Sequence, residues 1–150
     1  MRSHTILGFL ALSFFVLTIT GCEDDHVHPA GDHFEAIGVV LYRGDTAVFS
    51  ILRGVTGDTL SIASGVTGED YDVRFYDADE RIVEADDDHS TLGWEIGDSS
   101  LLEVVQDPGK EGKFEFRLRG KAAGSTTLEL QILHEGHADF RSGKIPVRVR

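Results

Sequence analysis

Residues 125–134 read Ser-Thr-Thr-Leu-Glu-Leu-Gln-Ile-Leu-His, with apolar side chains at every second position from Leu128 through Leu130 to Ile132. Successive side chains of a strand point to opposite faces, so this period of two indicates a β-strand with one face in a core. By the same parity His134 continues the buried face. It is therefore expected at the rim of the core, where the strand ends.

The same alternation recurs in eight further segments from residue 34 onward, and glycine-containing turn sequences such as Gly57-Asp58 and Asp107-Pro108-Gly109 separate them. Short strands spaced about 8–12 residues apart, with turn signals between them, indicate an all-β sandwich or barrel. We therefore predict an antiparallel β-sandwich of about seven to nine strands. The eight segments are Phe34–Arg43, Thr46–Arg53, Thr59–Ala63, Tyr71–Tyr76, Thr91–Ile96, Leu101–Val105, Lys113–Leu118 and Ile145–Arg150.

The end of the chain resembles a bacterial immunoglobulin-like (Ig-like) domain. Residues 120–130 (GKAAGSTTLEL) resemble the entry into its penultimate strand, and residues 145–150 (IPVRVR) resemble its closing edge strand. Pro146 fits an edge, because proline cannot donate to a neighbouring strand. The resemblance implies an Ig-like sandwich over residues 34–150 and implies no activity.

The amino terminus has the layout of an export signal. A short start with one basic residue, Arg2, precedes the apolar run 6–19, which is too short to span a bilayer comfortably and has no stop-transfer flank. The tetrad Ile19-Thr20-Gly21-Cys22 then resembles the lipobox of bacterial lipoproteins. This resemblance implies cleavage before Cys22, the only cysteine, and a lipid membrane anchor on its sulfur.

The chain is thus expected to comprise a signal peptide (1–21), a lipidated tether rich in His and Asp (22–33) and the sandwich domain (34–150). All 26 acidic residues but only 13 of the 14 basic ones follow residue 21, giving the mature chain a formal charge of −13. Such a surface repels nucleic acid and attracts cations. The expected location is the cell envelope, on the periplasmic or the surface side.

Histidines supply the candidate site. Glu135-Gly136 is a plausible turn that would bring His137 back beside His134, with Asp139 close by. Imidazoles with a carboxylate are ligands that suit zinc or copper. The alternative is that strand-end histidines only face solvent, since the helical H-E-x-x-H motif is absent.

Other histidines are candidate additional ligands. His89 follows three aspartates, and His26, His28 and His33 lie in the tether. An acidic solvated loop and a polar spacer are the respective alternatives. The acidic residues around Asp77–Glu80 would suit calcium, but the spacing of an EF-hand loop is missing.

No Gly-x-Ser-x-Gly elbow or phosphate-binding glycine loop occurs, so we predict a protein that is not an enzyme. Trp94 aligns with Leu92 and Ile96 and is expected to pack in the core. The sequence thus predicts an anchored protein that binds zinc or copper. The alternative is an interaction module that presents a loop or an edge strand to an envelope protein, a transporter or a surface polymer.

Overall fold

The structure is a computed structural model that describes residues 35–85 and 88–150, and within these residues it contains eleven β-strands and no helix. No helix in the described part is long and apolar enough to cross a membrane. The strands are β1 (Gly38–Arg43), β2 (Thr46–Leu52), β3 (Leu60–Ile62), β4 (Tyr71–Tyr76), β5 (Ile82–Val83), β6 (Thr91–Ile96), β7 (Leu102–Val105), β8 (Glu115–Gly120), β9 (Gly124–His134), β10 (His137–Arg141) and β11 (Ile145–Val149).

Each of the nine predicted segments overlaps one strand, and the bounds of β4 and β6 agree to the residue. The structure adds β5 and β10. β5 has only two residues, and in β10 (His-Ala-Asp-Phe-Arg) only Phe140 is partly buried while the other four residues are exposed. The all-β sandwich is therefore confirmed, with two strands more than the pattern indicates.

The first sheet has the strand order β2-β1-β4-β8-β7, and β5 pairs with part of β4. The second sheet is built around the long strand β9, which pairs with β6 along one side. β10 and then β11 pair with β9 along the other side, and β3 adds to β11 in parallel. β11 is therefore not the edge strand that the sequence predicts. Pro146 is tolerated because β3 pairs only with Val147–Val149.

One core joins the two sheets. On β9, Leu128 and Leu130 are fully buried and Ile132 nearly so, as the alternation predicts. Phe140 of the second sheet packs edge-on against Phe75 of the first, with ring centroids 5.6 Å apart. The two sheets thus share one hydrophobic interior, which is the defining feature of a sandwich.

Candidate functional site

The predicted histidine pair lies at the tip of the β9–β10 hairpin. Glu135 and Gly136 form its two-residue loop, with φ of 49° and 83°, and His137 pairs directly with His134. Two left-handed loop residues are the signature of the tight turn that matches the twist of a hairpin. Residues that face each other across such a pair carry their side chains on the same face, so the two imidazoles are neighbours.

Asp139 joins this pair through a bulge. Ala138 pairs with Leu133 and Phe140 with Ile132, so Asp139 is the extra residue on β10. Its Oδ2 lies 3.6 Å from Nδ1 of His134, whose side chain is 29% exposed. The bulge therefore places a carboxylate beside the histidine at the rim of the core.

Of the other predicted ligands only His89 lies among the described residues, and it does not complete a three-ligand group with this pair. His89 is exposed and precedes β6, whose first residue Thr91 pairs with Leu133 at the same end of the sheet. His26, His28, His33 and the lipidation residue Cys22 lie outside the described residues, as do the boundaries at 21 and 33. Among residues 35–85 and 88–150, no three His, Cys, Asp or Glu side chains are grouped closely enough to hold a metal ion.

The carboxylates of the acidic turn at Asp77 form ion pairs with arginine and, among the described residues, do not converge on a calcium site. The Asp77 carboxylate accepts backbone N–H groups from Asp79 and Arg81 and lies 2.8 Å from the Arg81 guanidinium. Asp79 also pairs with Arg81, and Glu80 pairs with Arg53. The backbone N–H of Arg81 is the main cause of a lowered pKa at Asp77, since it stabilises the charged carboxylate.

A second feature, the outer side of β6, was not predicted as a site. The N–H of Leu92 donates to Gly112, away from β9, while the N–H of Gly97 donates to Thr127 of β9. Because backbone groups alternate along a strand, the N–H and C=O groups of Trp94 and Ile96 point away from β9. We call these groups the β6 edge.

The register supports this assignment. Trp94 pairs with Leu130, whose own N–H and C=O are both bonded to Ser142 on the opposite side of β9. Leu130 therefore has no backbone group directed at β6. No backbone partner for the outward groups of Trp94 or Ile96 occurs among the described residues. Within residues 35–85 and 88–150, the β6 edge is therefore an open row of donors and acceptors.

The remaining edges of the two sheets are blunted. β2 has a bulge at Val48 and is closed at its end, where Leu52 and Val55 exchange hydrogen bonds. β10 is bulged at Asp139 and carries charged residues. β3 and β5 have three and two residues, and β7 has four. β6 pairs regularly over six residues and its outer side has no bulge. Gly112 covers only its start, at Leu92, so β6 is the least protected edge among the described strands.

The side chains of β6 suit a contact surface. Trp94, the only tryptophan, and Ile96 are half-buried against the core at the sheet margin. Oε1 of Glu95 accepts hydrogen bonds from Arg141 at 2.8 Å and from Gln131 at 3.0 Å, so the one charge of the strand is held over β9. The Arg141 hydrogen bond is the main cause of a lowered pKa at Glu95.

Sequence reasoning placed Trp94 on the core face but did not identify β6 as an edge. The alternation of Leu92, Trp94 and Ile96 shows which side chains are buried and carries no information on which strands are neighbours. A usable signal was Gly93, because a Cβ at this position would lie 2.7 Å from Leu133 Cδ1. A glycine inside a strand often marks such a close approach to one neighbour.

Comparisons with known proteins give no family. No protein-family model and no curated protein matches the sequence. Domains 5–6 of the S-layer protein SbsC align at a TM-score of 0.47 and 18% identity, covering 78% of this chain and 44% of that one. Domains 4 and 5 of SbsC align at 0.42 and 18%, covering 75% and 65%. This chain spans less than two thirds of either structure, and at these scores the likeness carries no argument about function.

Proposed function

We propose that this chain is a lipid-anchored, non-catalytic interaction module of the cell envelope that takes up an extended segment of a partner protein at the β6 edge. The observation that carries this proposal is the open row of backbone groups at Trp94 and Ile96 on a regular, unbulged strand. An added strand would pair with these groups and extend the second sheet.

The chemistry of β6 supports the same proposal. Main-chain hydrogen bonds would provide affinity, and Trp94 would be covered by the added segment. Tryptophan is enriched among residues that dominate binding energy, because its large ring is half apolar and can be fully desolvated. Arg141 lies 2.8 Å from the Glu95 carboxylate and is shared with Glu129, so it offsets part of the negative charge beside an approaching chain.

The sequence of the amino terminus supports a location in the cell envelope. Cleavage before Cys22 and lipid on its sulfur would leave the tether 22–33 between the membrane and the domain. An extended segment spans at most about 3.3–3.6 Å per residue, so this tether keeps the domain within a few nanometres of the bilayer. A partner in or on the same envelope, such as a transporter, is therefore within reach.

The test is site-specific photo-crosslinking in living cells. A benzoylphenylalanine residue at Thr91, exposed at the start of β6, is expected to give one discrete protein adduct. The same residue at Val66, which is 46% exposed and lies outside the strands, serves as the control and is expected to give none.

A backbone variant identifies the edge as the cause. Ile96→Pro removes an outward N–H but no bond to β9, so the adduct should disappear while the domain stays folded. The matched variant Ile96→Val keeps the N–H and should keep the adduct. An adduct of twice the chain's mass would identify a second copy as the bound strand and support the edge. Equal adducts from Thr91 and Val66, or an adduct that survives Ile96→Pro, would refute the proposal.

A further inference from the structure

A feature separate from the β6 edge is the histidine pair at the hairpin tip. We propose that His134, His137 and Asp139 bind one divalent transition-metal ion, zinc or copper, which we call the hairpin site. The hairpin geometry carries this proposal, because the tight turn places the side chains of His134 and His137 on one face and the bulge adds the carboxylate.

The spacing of the two histidines suits joint coordination. Directly opposed residues of an antiparallel pair have Cβ atoms about 4.5–5.5 Å apart, so two imidazoles can reach one ion between them. The Asp139 carboxylate, 3.6 Å from Nδ1 of His134, would supply an oxygen ligand. Two nitrogens and one oxygen from protein, with water in the open position, form a familiar zinc set and also suit copper.

The three side chains do not converge on one point in the structure, since no described group of three meets the spacing of a metal site. Binding therefore requires side-chain rotation. His137 and Asp139 are both exposed, so their rotation displaces only solvent. His134 is anchored at the rim by β9 and would act as the fixed ligand.

The negative charge of the chain favours the binding of cations, and the imidazole ligands determine which cations are preferred. The formal charge of the full chain is −12, which raises the local concentration of cations. Neutral imidazole favours zinc and copper over magnesium and calcium, which prefer oxygen ligands. The side chains lose rotational freedom when they bind the ion, and this loss of entropy weakens binding. We therefore expect micromolar affinity rather than the tighter binding of a preformed site.

The experiment is a calorimetric titration of zinc chloride and of copper sulfate into the full chain, purified in detergent at pH 7.5. His26, His28 and His33 are replaced by alanine in every sample, so that the tether cannot contribute. One ion per chain is expected. His134→Ala and His137→Ala should each weaken binding at least about tenfold, since even a residue that only orients a ligand is worth that much.

Two comparisons make the result decisive. His89→Ala removes an exposed histidine at the same end of the sheet that is not one of the three proposed ligands, and it should leave the affinity within about twofold. His137→Ala changes an exposed side chain and is expected to fold, so its result stands even where His134→Ala is destabilised. No saturable heat, or unchanged affinity in the His134→Ala/His137→Ala double variant, would overturn the hairpin site. Neither result would affect the proposed role of β6.

Discussion

Ser142 lies between the end of β10 and the start of β11 and forms hydrogen bonds with the backbone of β9. Its side chain is 2% exposed, and its Oγ accepts the N–H of Leu130 at 2.9 Å and donates to the carbonyl of Gly143 at 2.7 Å. Its own N–H donates to the carbonyl of Leu130. The hydroxyl and the backbone N–H of this one serine thus take the place of a strand partner for Leu130, at the centre of β9.

The Ser142→Ala variant is predicted to lower the free energy of unfolding by about 1–3 kcal/mol, because it leaves the buried Leu130 N–H without an acceptor. Urea denaturation followed by circular dichroism measures the change. Ser61→Ala, on an exposed side chain, is the matched control and should change stability by no more than about 0.5 kcal/mol. An equal effect of the two variants would contradict this role.

At the scale of elements, Gly93 of β6 leaves room for the side chain of Leu133 on β9. A Cβ at residue 93 would be 2.7 Å from Cδ1 and 2.8 Å from Cγ of Leu133. Gly93→Ala is therefore predicted to cost about 1–3 kcal/mol of stability through overpacking. Thermal unfolding followed by Trp94 emission reports the change at the affected strand.

The double variant Gly93→Ala/Leu133→Ala tests this contact directly. Removing the Leu133 side chain clears the space that the new methyl group needs, so Gly93→Ala should cost less in a Leu133→Ala background. Purely additive effects of the two substitutions would show that the loss has another origin, such as a change in the backbone of β6.

The strands could be predicted from sequence where burial imposes a period of two, as at Leu128, Leu130 and Ile132. β10 could not, because the bulge at Asp139 pairs Ala138 and Phe140 with adjacent residues of β9 and so puts them on opposite faces, and only Phe140 is partly buried. The order in which the strands pair could not be predicted from the sequence either, because β11 resembled an edge strand although β3 pairs with it. Local turn chemistry was more informative, since Glu135-Gly136 indicated the hairpin that brings His134 and His137 together.

At the scale of the whole molecule, acidic residues make the free energy of unfolding depend on pH. Arg141 lowers the pKa of Glu95 through a hydrogen bond, and Ser100 does the same for Asp98. A carboxylate whose pKa is lower in the folded state than in the unfolded chain stabilises the fold above its unfolded pKa, near 4. That contribution is lost as the pH falls through the folded value.

We therefore predict that the free energy of unfolding falls as the pH drops below about 4, where these carboxylates take up protons first in the unfolded chain. The Glu95→Gln variant should show a smaller fall, and Arg141→Gln should reduce it similarly because it removes the partner of Glu95. Urea denaturation between pH 3 and 7 measures the slopes. An acid slope identical to that of the parent chain in both variants would contradict this assignment.

The central claim is that the β6 edge is open in the free molecule, and amide hydrogen exchange of the full chain resolved by NMR tests it most directly. The amides of Gly93 and Glu95, which face β9, are predicted to exchange slowly. Those of Trp94 and Ile96 are predicted to exchange at rates close to those of an unprotected chain. Protection of Trp94 and Ile96 equal to that of their neighbours would mean that the edge is already covered, and the proposed binding mode would be wrong.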